Sequence, residues 1–129
     1  MADLIQPIDE LTYKIIGCAM EVHKTMGNGF QEVVYQRCLA IEFRKAGILF
    51  EREIEQELFY KDFAVGTRRA DFIEEVKVVV EIKAVINHEN VHLAQAKNYL
   101  VAYNFDLGML LNFGSASLQY KRIFRSNNV

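Results

Sequence analysis

A chain of 129 residues is long enough for one domain with a single hydrophobic core that needs no disulfide or metal staple. Its residues are 51% hydrophobic and 25% charged, with one proline, which excludes a disordered or fibrous chain. A net charge of −2 argues against a general nucleic-acid coat, though not against a local basic groove, and without a run of about 18 apolar residues no membrane-spanning helix is expected.

The start, Met1 to Gln6, has neither a basic segment nor an apolar signal core, so a cytoplasmic location is expected. The two cysteines, Cys18 and Cys38, fall in helical patterns and read as small buried hydrophobes in a reducing compartment.

Leu11 to Thr25 is predicted helical, with Leu11, Ile15, Ala19, Val22 and Met26 at helical spacing. Asp9 or Thr12 is expected to cap its start, and Gly27-Asn28-Gly29 breaks it. A second helix runs from about Gln31 to Lys45, with Tyr35, Cys38, Leu39 and Phe43 on its inner side and Gly47 as its stop. Phe50 to Tyr60 is extended, and Glu51, Glu53, Glu55 and Glu57 turn one of its sides to solvent. After a turn at Lys61-Asp62, the next strand begins at Val65-Gly66-Thr67 and continues through Arg69 to Glu74. In it Ala70 and Phe72 are predicted to face one way, Asp71 and Ile73 the other.

Val76 to Ala84 reads as a buried strand, rich in β-branched residues. Val76, Val78, Val80, Ile82 and Ala84 form an apolar face; Glu81 and Lys83 share the other, about 7 Å apart. Asn87 to Ala102 is a third predicted helix. Asp106 to Phe113 and Leu118 to Phe124 are two last strands, joined at Gly114-Ser115. The order α-α-β-β-β-α-β-β predicts a single α/β domain, a mixed sheet flanked by helices.

A carboxylate and an ammonium in mid-sheet are costly unless something pairs with them. In a hairpin of the two strands, Asp71 comes level with Glu81. Two carboxylates and Lys83 then converge, which suits a divalent metal beside a phosphate group. The alternative is a Lys83–Glu81 or Lys83–Asp71 ion pair with no metal, an arrangement that seldom adds net stability when buried.

Asp71, then Glu81-Ile82-Lys83 on the next strand, then a helix, resembles the restriction-endonuclease-like superfamily with the PD-(D/E)xK signature. The chain also resembles the small group of GxxExxY proteins, through Gly29-Phe30-Gln31-Glu32-Val33-Val34-Tyr35. His23, Tyr60-Lys61, Gln95, Tyr99 and Leu111-Asn112-Phe113-Gly114 extend the likeness over roughly Leu11 to Phe124. Ala70 stands where the signature has proline, and the first glycine loop lacks the proline its relatives tend to carry.

The resemblance implies a restriction-endonuclease-like fold and metal-dependent cleavage of DNA or RNA phosphodiesters. Asp71 and Glu81 would be ligands of Mg²⁺ or Mn²⁺, which prefer oxygen donors and keep several waters. The Ile82 carbonyl would be a further ligand, and Lys83 would orient the attacking water or offset charge on the phosphate. The resemblance also implies that Glu32 points into the metal site, although the helix dipole alone favours an acid at that position. Tyr35, one turn on, is expected to pack in the core or to bond Glu32, and Gly29 to meet a backbone need. Gln95 and Tyr99 share a helical face beside the site by the same resemblance, or form a polar surface. His23 either lines the site or is a satisfied boundary residue. Arg68, Arg69, Lys97, Lys121 and Arg122 are scattered basics that would track a nucleic-acid backbone or be simply solvated. A homodimer fits the chemistry of cutting two strands. A non-catalytic binding or oligomerisation module of the same fold is the second reading.

A third reading comes from His88-Glu89-Asn90-Val91-His92, which matches the zinc-peptidase pattern H-E-x-x-H. It falls at a helix start after Asn87, a good N-cap. Catalytic zinc needs a third protein ligand, and beyond His92 the only acid is Asp106, with no histidine, glutamate or cysteine.

Overall fold

The computed structural model describes residues 8–75, 77–86, 94–97, 100 and 105–124. Helices α1 (Ile8–Met26) and α2 (Glu32–Lys45) precede strands β1 (Phe50–Tyr60), β2 (Phe63–Glu74), β3 (Val78–Lys83), β4 (Leu107–Asn112) and β5 (Gln119–Phe124). Between β3 and β4, residues 94–97 and 100 are helical, the described part of the predicted third helix.

Both long helices follow their chemistry. α1 carries Asp9 and Glu10 in its first turn and His23 and Lys24 in its last, each complementing the helix dipole. Neither expected cap occupies a cap position, because the helix begins earlier, at Ile8. Asp9 instead pairs with Arg122 of β5 at 2.8 Å, and Thr12 donates to the Asp9 carbonyl. α2 ends as predicted at Gly47, whose φ of 76° is the left-handed stop that glycine adopts without a steric penalty. The amides of Gly47 and Ile48 return to the Arg44 and Phe43 carbonyls.

The five strands form one sheet in the order β1-β2-β3-β4-β5. β3 and β4 run parallel; the other neighbours are antiparallel. The parallel step requires a crossover, which residues 84–106 supply. β3 and β4 are buried on both faces, which is why they read as near-continuous apolar runs. Val78, Val80 and Ile82 join Leu11, Ile15, Tyr35, Leu39, Phe43 and Phe72 in the larger core, under α1 and α2. Val79, Leu110 and Ile123 pack on the opposite face with Ala96 and Leu100.

One predicted alternation fails. Ala70 packs with Ile73 and Val79 rather than with Phe72. The cause is a distortion at the next residue. β1 and β2 pair at Arg52↔Phe72 and again at Ile54↔Ala70, while Glu53, opposite Asp71, takes a left-handed φ of 53°. Such backbone is sparsely populated for a residue with a side chain. The regular two-residue period is thus interrupted beside Asp71.

Among the described residues no helix is long and apolar enough to cross a membrane. Cys18 is buried and Cys38 half-buried, and both are free thiols. Burial beside Glu42 and Glu74 pushes the Cys18 thiol up to about 11, which keeps it protonated and unreactive.

Candidate metal centre between strands β2 and β3

β2 and β3 pair through Glu74↔Val78, Ile73↔Val79 and Phe72↔Val80. One step further brings Asp71 level with Glu81, and there the ladder ends. The Asp71 side chain takes over from the missing strand backbone: its Oδ2 accepts the Ile82 N–H at 2.8 Å. Its Oδ1 accepts the Gln36 side-chain amide at 2.8 Å, so α2 also holds this carboxylate. Gln36 Oε1 in turn accepts Arg52 Nη2 at 2.7 Å, from β1. The Asp71 and Glu81 carboxyl groups are near enough to act on each other.

Glu81 is 6% exposed, and its Oε2 lies buried without a hydrogen-bond partner among the described residues. Desolvation, then the neighbouring Asp71 charge, pushes its carboxyl up to about 10, against the opposing pull of Lys83 and Arg68. Burial raises Asp71 as well, opposed by the Ile82 N–H, by Gln36 and by the Lys83 charge. Two acids forced together in a dry place therefore hold a proton between them at neutral pH, chiefly on Glu81. A divalent cation is the natural substitute for that proton.

The donor set fits a hard cation. Two carboxylates and a carbonyl are oxygen ligands, and Mg²⁺-type sites use one or two carboxylates plus water. The orphaned Glu81 Oε2 is a lone pair in want of a partner. On a strand the N–H and C=O of one residue point to the same side. The Lys83 carbonyl accepts Phe113 N–H on the β4 side at 2.9 Å, so Ile82, one residue earlier, points its own carbonyl towards the gap that holds Asp71. Lys83 is half-buried at the carboxyl end of β3, with its charge felt by both acids.

The exit of β3 is fixed by β4. Asn112 is fully buried; its Oδ1 accepts the Val85 and Gly114 amides at 2.9 and 3.0 Å, and its Nδ2 donates to Gln119 at 2.9 Å. Ser115 Oγ donates to the Ile86 carbonyl. A Cβ on Gly114 would stand 2.3 Å from the Val85 carbonyl oxygen and 2.4 Å from its nitrogen, so only glycine admits this close approach.

The other sequence-derived candidates fall elsewhere. Glu32 is exposed at the start of α2. Among the described residues no group of three or more His, Cys, Asp or Glu side chains could hold a metal, so no third acid joins Asp71 and Glu81. The α2 side chain that touches Asp71 is Gln36, one turn beyond Glu32. Tyr35 packs in the core, stacked on Phe113 at 4.7 Å. Its hydroxyl donates to the Gly27 carbonyl at 2.6 Å and accepts the Phe30 N–H, rather than bonding Glu32. That pair of bonds closes the glycine loop, where Gly27 and Gly29 take positive φ. His23 donates through Nε2 to the Ser115 carbonyl at 3.0 Å and stacks on Phe113, a satisfied boundary residue. Gln95 is half-buried in the 94–97 helical segment. Tyr99 and the His88–His92 pattern lie outside the described residues. Of the basic residues, Arg69 pairs with Glu53 at 3.7 Å and Arg122 with Asp9, while Arg68 is near enough to act on Glu81.

Sequence reading missed Gln36, Arg52 and the hub role of Asn112. Gln36 left one trace: a polar residue four positions after Glu32, beside the inward Tyr35 and Leu39.

The family model described as the PD-(D/E)XK nuclease superfamily matches residues 9–123, nearly the whole chain. No curated protein matches. Among solved structures, the fold is similar to the crystal structure of SSO0001, at 20% identity and a TM-score of 0.60 over 75% of this chain. The chain spans about half (52%) of that protein. It is also similar to an alkaline exonuclease from Laribacter hongkongensis, at 10% identity and a TM-score of 0.50, covering 84% of this chain and 76% of that one. These likenesses establish a restriction-endonuclease-like fold. With Asp71, Glu81 and Lys83 on β2 and β3 in the order of its signature, the chain belongs to the PD-(D/E)XK nuclease superfamily.

Proposed function

We propose that this protein is a metal-dependent nuclease that hydrolyses DNA or RNA phosphodiester bonds in the cytoplasm. Within the superfamily we place it in the GxxExxY group, on Gly29, Glu32 and Tyr35. The single observation that carries the reading is the meeting of Asp71 and Glu81 in one gap of the sheet, with a buried glutamate oxygen left unpartnered.

Asp71, Glu81 and the Ile82 carbonyl would hold Mg²⁺ or Mn²⁺. When bound, the cation polarises the scissile phosphate and lowers the pKa of the attacking water. The chain's own groups do the rest. Gln36 and the Ile82 amide orient the Asp71 carboxylate. Lys83 places a fixed positive charge where negative charge builds on the phosphate oxygens, or orients the water. Water attacks phosphorus, the ester P–O bond breaks, and the leaving alkoxide takes up a proton. Gln95 would contact the phosphate or the water network. A homodimer would bring two such sites to a duplex.

Superfamily membership favours this reading over the zinc peptidase. The absence of a third acid among the described residues leaves one competitor, a silent site kept as a binding module. Single-turnover assays on single- and double-stranded substrates, titrated with Mg²⁺ and Mn²⁺, separate the two. Cleavage should require the metal and fall at least about 100-fold in Asp71→Asn and in Lys83→Ala. Metal-independent behaviour, or two variants indistinguishable from wild type, would remove the nuclease.

A further inference from the structure

Asp71 is held in its orientation by two donors. Its two oxygens are each claimed by a neutral donor, the Ile82 amide and the Gln36 side chain. The first is backbone and cannot turn. The second is a primary amide, whose oxygen and nitrogen ends are nearly equal in size and exchange by a half-turn of one torsion. Turned the wrong way, Gln36 would set an oxygen against the Asp71 oxygen and push the carboxylate off its place.

Arg52 decides the matter. It donates from Nη2 to Gln36 Oε1 at 2.7 Å, and a guanidinium is donor only, so the amide oxygen must face Arg52 and the NH₂ must face Asp71. The pairing is otherwise poor value. Gln36 is 5% exposed, and Arg52 Nε is buried with no hydrogen-bond partner among the described residues. Among the described residues Arg52 makes no ion pair. A half-buried guanidinium spent on a neutral amide costs desolvation that an aliphatic residue on β1 would avoid.

We infer that Arg52 is a positioning residue for the metal centre, acting through Gln36 to hold the Asp71 carboxylate in its ligating orientation. The inference rests on the metal-site reading of Asp71 and adds to it a device spanning three elements: β1, α2 and β2. Arg52 touches neither metal nor substrate. It works by removing the wrong orientation of one amide. Partners that orient a metal ligand in this way typically carry 10- to 100-fold of the metal affinity.

The test is Mn²⁺ binding to the full chain without substrate, by calorimetry and by the paramagnetic spectrum of free Mn²⁺. Arg52→Leu should weaken binding about tenfold, and Arg52→Lys, which keeps a donor, should recover most of it. Gln36→Leu should weaken it at least as much. The Arg52→Leu/Gln36→Leu double variant should be no worse than Gln36→Leu alone, because Arg52 has nothing left to orient. A readout independent of metal is the Gln36 side-chain amide signal in the nuclear magnetic resonance spectrum of the metal-free protein. Its protons should be slow to exchange in wild type and in Arg52→Lys, and fast in Arg52→Leu. Wild-type Mn²⁺ affinity in Arg52→Leu, or additive losses in the double variant, would overturn the device while leaving the metal centre standing. A wild-type chain that binds no Mn²⁺ overturns both.

Discussion

Glu74 and Glu81 lie on adjacent strands, both buried, and burial lifts both, to about 9 and about 10. They differ in company. Glu74 is fully enclosed, neither of its oxygens has a hydrogen-bond partner among the described residues, and the like charge of Glu75 raises it further. Glu81 faces a second acid and two basic residues, beside a backbone carbonyl turned to the same gap. A displaced carboxyl is therefore no sign of a site by itself. Convergence of oxygen donors of different kinds, with positive charge at their edge, is what separates a metal centre from a protonated acid in the core.

The largest expected difference is in metal affinity. Glu81→Gln should weaken Mn²⁺ binding by more than about 100-fold, beyond the range of an outer-shell partner. Glu74→Gln should leave it within about twofold. Equal losses in the two, measured by calorimetry, would break the comparison.

Next comes the placement of Lys83, the positive charge that Glu74 lacks. A Cβ on Gly114 would meet the backbone of Ala84 and Val85 at 2.3–2.5 Å, so the exit of β3 must move. Gly114→Ala should cost about 1–3 kcal/mol in denaturant unfolding, as overpacking does. It should also lower the single-turnover rate while the stability loss in Glu74→Gln, if any, leaves the rate alone.

The smallest effect, taken per pH unit, is the slope of stability against pH. A carboxyl raised in the folded state binds more protons there than in the unfolded chain. Its contribution is full below the unfolded value of 4.5 and is lost as pH rises towards about 9. Each such group tilts unfolding free energy by at most about 1.4 kcal/mol per pH unit. Urea midpoints should fall for wild type between pH 5 and 9, and less steeply for Glu74→Gln. Added Mn²⁺ should flatten only the share owed to Glu81, since ligand binding favours the folded state and replaces that proton.

The legibility of these features in sequence follows from how local they are. β3 is plain because β-branched residues run unbroken and Glu81 and Lys83 interrupt them at a spacing of two. Asp71 is readable because an antiparallel neighbour ten residues upstream must pass beside Glu81. α1, α2 and all five strands appear within a few residues of their observed bounds for similar reasons of period and punctuation. Gln36 and Arg52 are not readable, since their bonds join residues 35 and 16 positions apart on three elements, and no local period marks them. The left-handed Glu53 and the turning of Ala70 are equally hidden, being set by the opening of the sheet at Asp71. Nor does any pattern announce that Glu74, one of six glutamates from Glu51 to Glu75, is sealed from water.

The bond from Asp71 to the Ile82 amide ties ancestry to architecture. That carboxylate is part of the sheet as well as of its chemistry, so an aliphatic replacement would strand a buried N–H. Of the ordinary substitutions, asparagine alone surrenders the charge and keeps a matching acceptor at the same reach. A descendant that gave up cleavage while keeping this shape would therefore drift through asparagine here, and its silence would be written as a single amidated side chain in an otherwise undisturbed scaffold.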